Sequence, residues 1–140
     1  MIQRFQSIWL FIAALFAFIS LQISFFSGNI LIANVKQFQR FTARDHFMLM
    51  ILTVLVGATS LLTIFLFKDR KLQLKITIAI LLVSLINLIL YYQQTNNFIP
   101  TDWSYDLSAL FSCTIPIFLF MAMKNIYRDE KLVKSADRLR

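Results

Sequence analysis

Four long apolar stretches alternate with short polar ones along the chain, at residues 8–26, 47–67, 76–92 and 107–126. The first three carry no charged residue, and the fourth has only Lys124 near its end. A helix rises about 1.5 Å per residue, so roughly 20 apolar residues span a hydrocarbon core. The third stretch is the shortest, and Lys75 can snorkel at its start. None alternates with the period of two that a membrane barrel strand requires. The pattern predicts an all-α fold: a four-transmembrane-helix antiparallel bundle, a single membrane domain over residues 1–140, with a C-terminal helical extension at 127–140. The first stretch exceeds the apolar core of a cleaved signal, and no pair of small residues two apart follows it. It is expected to be a retained helix.

Composition agrees. Hydrophobic residues make up 59% of the chain, with 15 Phe and only two Gly and two Pro, against roughly 45–50% apolar residues in an ordinary soluble domain. The net charge of +7 does not point to nucleic acid, because the cations gather between the apolar stretches, where basic residues flank membrane spans. With the N-terminus in the cytoplasm, segments 1–7, 68–75 and 124–140 hold eleven Lys and Arg and the opposite loops hold three, Lys36, Arg40 and Arg44. That bias predicts a multi-pass protein of a bacterial inner membrane with both termini cytoplasmic. Tyr91, Tyr92, Trp103 and Tyr105 are expected to mark the outer interface, and Trp9 the inner one. Thr42 and Asp45 make a start resembling a capping box for the second helix. Pro100, Thr101 and Asp102 make the turn into the fourth.

Small and hydroxylated residues recur on one face of each helix. Ala13, Ala17, Ser20 and Ser24 share a face of the first, and Thr53, Gly57 and Ser60 of the second. Thr77, Ser84 and Asn87 do so on the third, Ser108 and Ser112 on the fourth. Such stripes let membrane helices approach closely, so they are expected to line the interior. Pro116 removes an N–H from the fourth helix and leaves the Ser112 carbonyl without its helical donor, so a kink is expected there.

Chemistry-bearing patterns are sparse. The only histidine, His46, stands at a boundary, the single Cys113 has no thiol partner, and no Asp or Glu falls within an apolar stretch. These exclude bundles built on paired haem-ligating histidines, paired cysteines, or membrane carboxylates acting as peptidase or proton-relay groups. No cofactor and no catalytic pair is expected. Segment 27–45, in which Val35, Phe38 and Phe41 recur every three residues, reads as a short surface helix or as an irregular packed loop. In the tail, Glu130 and Lys134 are an i, i+4 pair, and Leu132, Val133, Ala136 and Leu139 make a narrow apolar stripe suited to headgroups or to a partner.

Both ends resemble a known family. The start, Met1-Ile2-Gln3-Arg4-Phe5-Gln6-Ser7-Ile8-Trp9-Leu10, is similar to the MIQRIQT-[IV]-[YW]-L opening of a family of small membrane proteins of Bacteroidetes-type bacteria. The end, Asp129-Glu130-Lys131-Leu132-Val133-Lys134-Ser135-Ala136-Asp137-Arg138-Leu139-Arg140, resembles its DEKLV-[KR]-S-x-DRLR tail. The family carries only a domain-of-unknown-function name. The resemblance implies four helices in an inner membrane, assigns no reaction, and points to Gln3, Arg4, Gln6, Asp129, Glu130, Lys131, Asp137 and Arg138 as residues that meet each other or a common partner. The expected role is that of a non-enzymatic accessory or structural subunit, contacting the lipid bilayer and another membrane protein or a second copy. The alternative is a small transporter or lipid-binding protein, which requires a cavity between the helices.

Overall fold

The computed structural model describes residues 3–32, 35–67, 69–99 and 102–137. Four helices dominate: α1 (Gln3–Ser20), α2 (Phe47–Phe65), α3 (Arg70–Gln94) and α4 (Ala109–Asp137). Three strands accompany them, β1 (Ser24–Ile32), β2 (Val35–Thr42) and β3 (Trp103–Tyr105). The fold is therefore mostly helical but not all-α. Segment 27–45 is neither a surface helix nor an irregular loop. Its residues form most of an antiparallel hairpin, and β3 adds to β1 on the other side, giving the order β2-β1-β3.

The helix boundaries move for local reasons. α1 ends at Ser20, whose hydroxyl bonds the Ala17 carbonyl at 2.8 Å. The apolar residues that follow continue as a strand, so hydropathy alone merges two elements. α3 begins six residues before its apolar stretch, because the Asp69 side chain accepts from the Leu72 N–H at 3.3 Å and caps the polar first turn. α4 runs unbroken through Pro116 into the tail. Asp45 accepts from the Thr42 N–H at 2.6 Å and hydroxyl at 2.9 Å, shaping a single 3-10 turn at Ala43–Asp45 rather than the start of α2 itself.

α1 packs most extensively on α4 and next on α2, while α3 lies against α4 and α2. Ring contacts set the level of α1 against the antiparallel α4: Trp9 stacks on Phe118 at 5.7 Å, and Phe16 meets Phe111 at 5.0 Å. α1 thus runs alongside the apolar part of α4. Trp9 is half-buried, two turns into α1 and stacked on α4. Leu10, Ala13, Ala17, Val56, Ile80, Ile115, Leu119, Ala122 and Ile126 are buried and fill the centre. A Cβ on Gly57 would stand 3.0 Å from the Phe18 ring, so glycine there lets α1 and α2 approach closely.

Candidate interaction site

The sheet sits on the end of the helical body where α1 and α3 finish and α2 and α4 begin. Its foundation is aromatic. Phe26 is fully buried and stacks on Phe41 at 4.8 Å, with the Phe98 ring edge-on at 4.8 Å. Phe25 stacks on Tyr91 at 4.3 Å. Tyr91 is thus 1% exposed, a core residue and not an interface marker, whereas Tyr92 and Tyr105 are exposed.

Polar contacts fix the sheet to the helices. Asp106, immediately before α4, accepts from the hydroxyls of Ser24 and Ser27, the latter at 2.8 Å, and its N–H donates to the Phe25 carbonyl at 3.2 Å. Ser108 donates to the Ser24 carbonyl. Further out, Asn29 donates from its N–H to the Asp102 carbonyl at 3.0 Å and accepts from the Ile99 N–H at 3.2 Å. Lys36 pairs with Asp102 at 2.7 Å. β3 meets β1 only at Phe26–Gly28, while the β1–β2 pairing continues to Ile32 and Val35. The hairpin therefore reaches past the third strand, and Val35–Arg40 are all exposed.

The stripes expected to line the helices have these positions. Ala13, Ala17, Ser20, Gly57, Ser84, Asn87 and Ser112 are buried, and Pro116 is half-buried. In the half nearer the sheet, Asn87 donates to the Thr53 hydroxyl at 2.9 Å, and the Tyr91 hydroxyl interacts with Thr53 and Ser112. The Asn87 Oδ1 is buried without a partner. An apolar side chain of the same branching removes both this bond and the unpaired oxygen, and interhelical bonds in membranes average only about 0.6 kcal/mol. Asn87→Leu is therefore expected to change stability by less than about 1 kcal/mol, measured by reversible unfolding in mixed micelles.

At the opposite end, Gln73 is fully buried and donates to the Thr63 carbonyl at 3.1 Å, satisfying one of the last carbonyls of α2. The Arg70 guanidinium donates to the Asp129 carbonyl at 3.2 Å. Of the end residues singled out from the sequence, Gln6 and Asp129 are buried, Glu130 is half-buried and engaged, and Lys131 is exposed. Gln6 and Asp129 thus belong to the helix packing on α1 and α4 rather than to an open charged surface. Gln3, Arg4 and Asp137 lie at the helix ends by backbone position, and Arg138 lies outside the described residues, as do Lys68, Pro100, Thr101, Leu139 and Arg140. Among the described residues, no three His, Cys, Asp or Glu side chains gather where a metal ion could bind.

Grooves open on the flanks. One of them, about 630 Å³, lies between α3 and α4 beneath β1 and β3, bordered by Phe25, Leu88, Tyr92, Tyr105, Asp106 and Cys113. The Asp106 anchor and Gln73 carry no local sequence signal, and the hairpin carries only a weak one. A hairpin signal was present only in the aromatic residues Phe26, Phe38 and Phe41.

Three of the helices, α2, α3 and α4, are long and apolar enough to cross a membrane, which is the build of an α-helical membrane protein. The chain belongs to the family described as Domain of unknown function (DUF4293), whose model matches residues 2–139. No curated protein and no solved structure matches it.

Proposed function

We propose that this protein is a non-enzymatic accessory subunit of a membrane assembly. It sits in a bacterial inner membrane as a four-transmembrane-helix antiparallel bundle, with both termini cytoplasmic and the sheet on the outer side. The 18 residues of α1 rise about 27 Å at 1.5 Å each, close to the roughly 30 Å hydrocarbon core. Its ring contacts with the apolar part of α4 support a fourth crossing. The bias of basic residues supports the orientation.

The observation that carries the reading is the hairpin. A small membrane protein has built an aromatic-seated platform outside its helices and left the outermost strand exposed. Filling of the bundle axis by Leu10, Val56, Ile80 and Leu119 favours a scaffold over a conduit. Gentle extraction of the native protein, cross-linking and mass spectrometry test this. A stoichiometric protein partner is the expected result, and recovery as a lone monomer contradicts it.

One feature favours lipid binding as a second reading: the flank groove between α3 and α4, apolar in its depth and edged by Tyr92, Tyr105 and Asp106. Retention of one lipid class through delipidation, with no protein partner, would establish it instead.

A further inference from the structure

We propose that β2 receives an extended, acidic segment of the partner protein as a fourth strand of the sheet. The inference rests on the subunit reading and names its docking mode. β2 is the outer strand of the order β2-β1-β3, so among the described residues one side of an eight-residue strand has no ladder partner. Unpaired N–H and C=O groups along such an edge are a template for another strand. Natural edges are commonly blunted by charged side chains, lysine above all, or by proline, shortness, a bulge or a covering element. Lys36 and Arg40 are the charged side chains of β2, and they guard it against basic strands but not against an acidic one. β2 contains no proline and no glycine, it is the longer of the two edge strands, and the register shift lies between Ser24 and Phe26 of β1.

The side chains define the chemistry of the incoming strand. Lys36, Phe38 and Arg40 alternate with their neighbours and so share one face, with Phe38 65% exposed. β2 carries two cations and no carboxylate. A second copy is therefore a poor occupant: antiparallel pairing centred on Phe38 sets Lys36 against Arg40 at both ends, and like charges directly opposite are destabilising. An acidic strand reverses the sign. A carboxylate on each side of an apolar residue, spaced by two, meets Lys36, Phe38 and Arg40 in turn. Lys36 already binds Asp102 at the surface, where such pairs exchange readily.

The test uses the full chain in lipid nanodiscs, a ten-residue peptide alternating Glu with Val, and its Lys–Val counterpart. Binding is read by fluorescence anisotropy and located by backbone hydrogen exchange. The acidic peptide is expected to bind at least tenfold more tightly, to slow exchange within 35–42, and to lose that preference in the Lys36→Glu, Arg40→Glu double variant. Lys36→Glu gives up the surface pair with Asp102, so the Arg40→Glu single variant, at an exposed position without that pair, is measured beside it and is expected to lose part of the preference. Unchanged hydrogen exchange of both variants without peptide verifies the fold. Equal binding of the two peptides, or slowing confined to the basic tail, overturns the proposal. Slowing of 35–42 by self-association or by anionic vesicles, with no response to the peptide, overturns it as well. A co-purified partner whose cross-links avoid 35–42 removes the strand-docking mode but leaves the subunit reading. Peptide capture on β2 with no co-purifying partner does the reverse.

Discussion

Replacing Phe26 by alanine is expected to detach the sheet from the helices, at a cost of about 3–5 kcal/mol, the usual range for truncating a buried phenylalanine. Phe26 is fully buried between Phe41, Phe98, Phe25 and Trp103. Its position outside the lipid matters. Apolar contacts between helices in a bilayer replace contacts with equally apolar lipid chains, so they gain little from water exclusion. At the sheet, the alternative to burial is water, and the full transfer term applies. The loss should also be local. Hydrogen exchange should rise across 24–42, while α2 and α3 remain protected. Uniform loss of protection throughout the chain would mean that the sheet and helices unfold as one unit.

The second large effect is expected at Gly28. A Cβ there would stand 2.7 Å from the Trp103 Cα and 2.8 Å from the Asp102 carbonyl oxygen. These are backbone atoms, held in place by the β1–β3 pairing and by the Asn29–Asp102 bond, so they cannot swing aside as a side-chain tip does. Gly28→Ala is expected to cost about 3 kcal/mol, the upper part of the overpacking range. It should separate β3 from β1 while leaving β1–β2 paired. Gly57 is the contrast, because the atoms met there belong to the Phe18 ring, which can shift. Gly57→Ala should therefore cost clearly less. Thermal unfolding of the two variants in the same detergent checks the order, and an equal or reversed order would show that the β1–β3 contact yields easily.

The elements legible in the sequence are those a bilayer dictates. Runs such as 47–67 need no tertiary information, because in lipid the backbone must satisfy itself within each helix. The hairpin was hidden for two physical reasons. β2 is solvated on both faces along most of its length, so nothing imposes an alternation of apolar and polar residues. What remains is Val35, Phe38 and Phe41 at a spacing of three, which imitates a helix. β1 follows α1 after only three residues and is itself apolar, so 8–26 reads as one element although the chain turns at Leu21–Ile23. Hydropathy also misplaced the start of α3, because a capped first turn with Arg70 and Lys71 is helical without being apolar. The site is less legible still. The anchor joins Asp106 to Ser24 and Ser27, 82 and 79 residues apart, and no local pattern announces such a contact. Gln6 and Asp129 stood out only through the resemblance of the chain's ends, and their burial gives them a packing role that the resemblance did not indicate.

The central claim is a chain that crosses the membrane four times and presents its sheet on the face opposite both termini. Single cysteines placed at Gln3, Gln39 and Ser135 in a Cys113→Ser background test it most directly, labelled with a membrane-impermeant maleimide in right-side-out spheroplasts. The account predicts that position 39 reacts at once and that positions 3 and 135 react only after permeabilisation. Immediate labelling at position 3 together with 39 would leave α1 on the outer side and reduce the crossings to three.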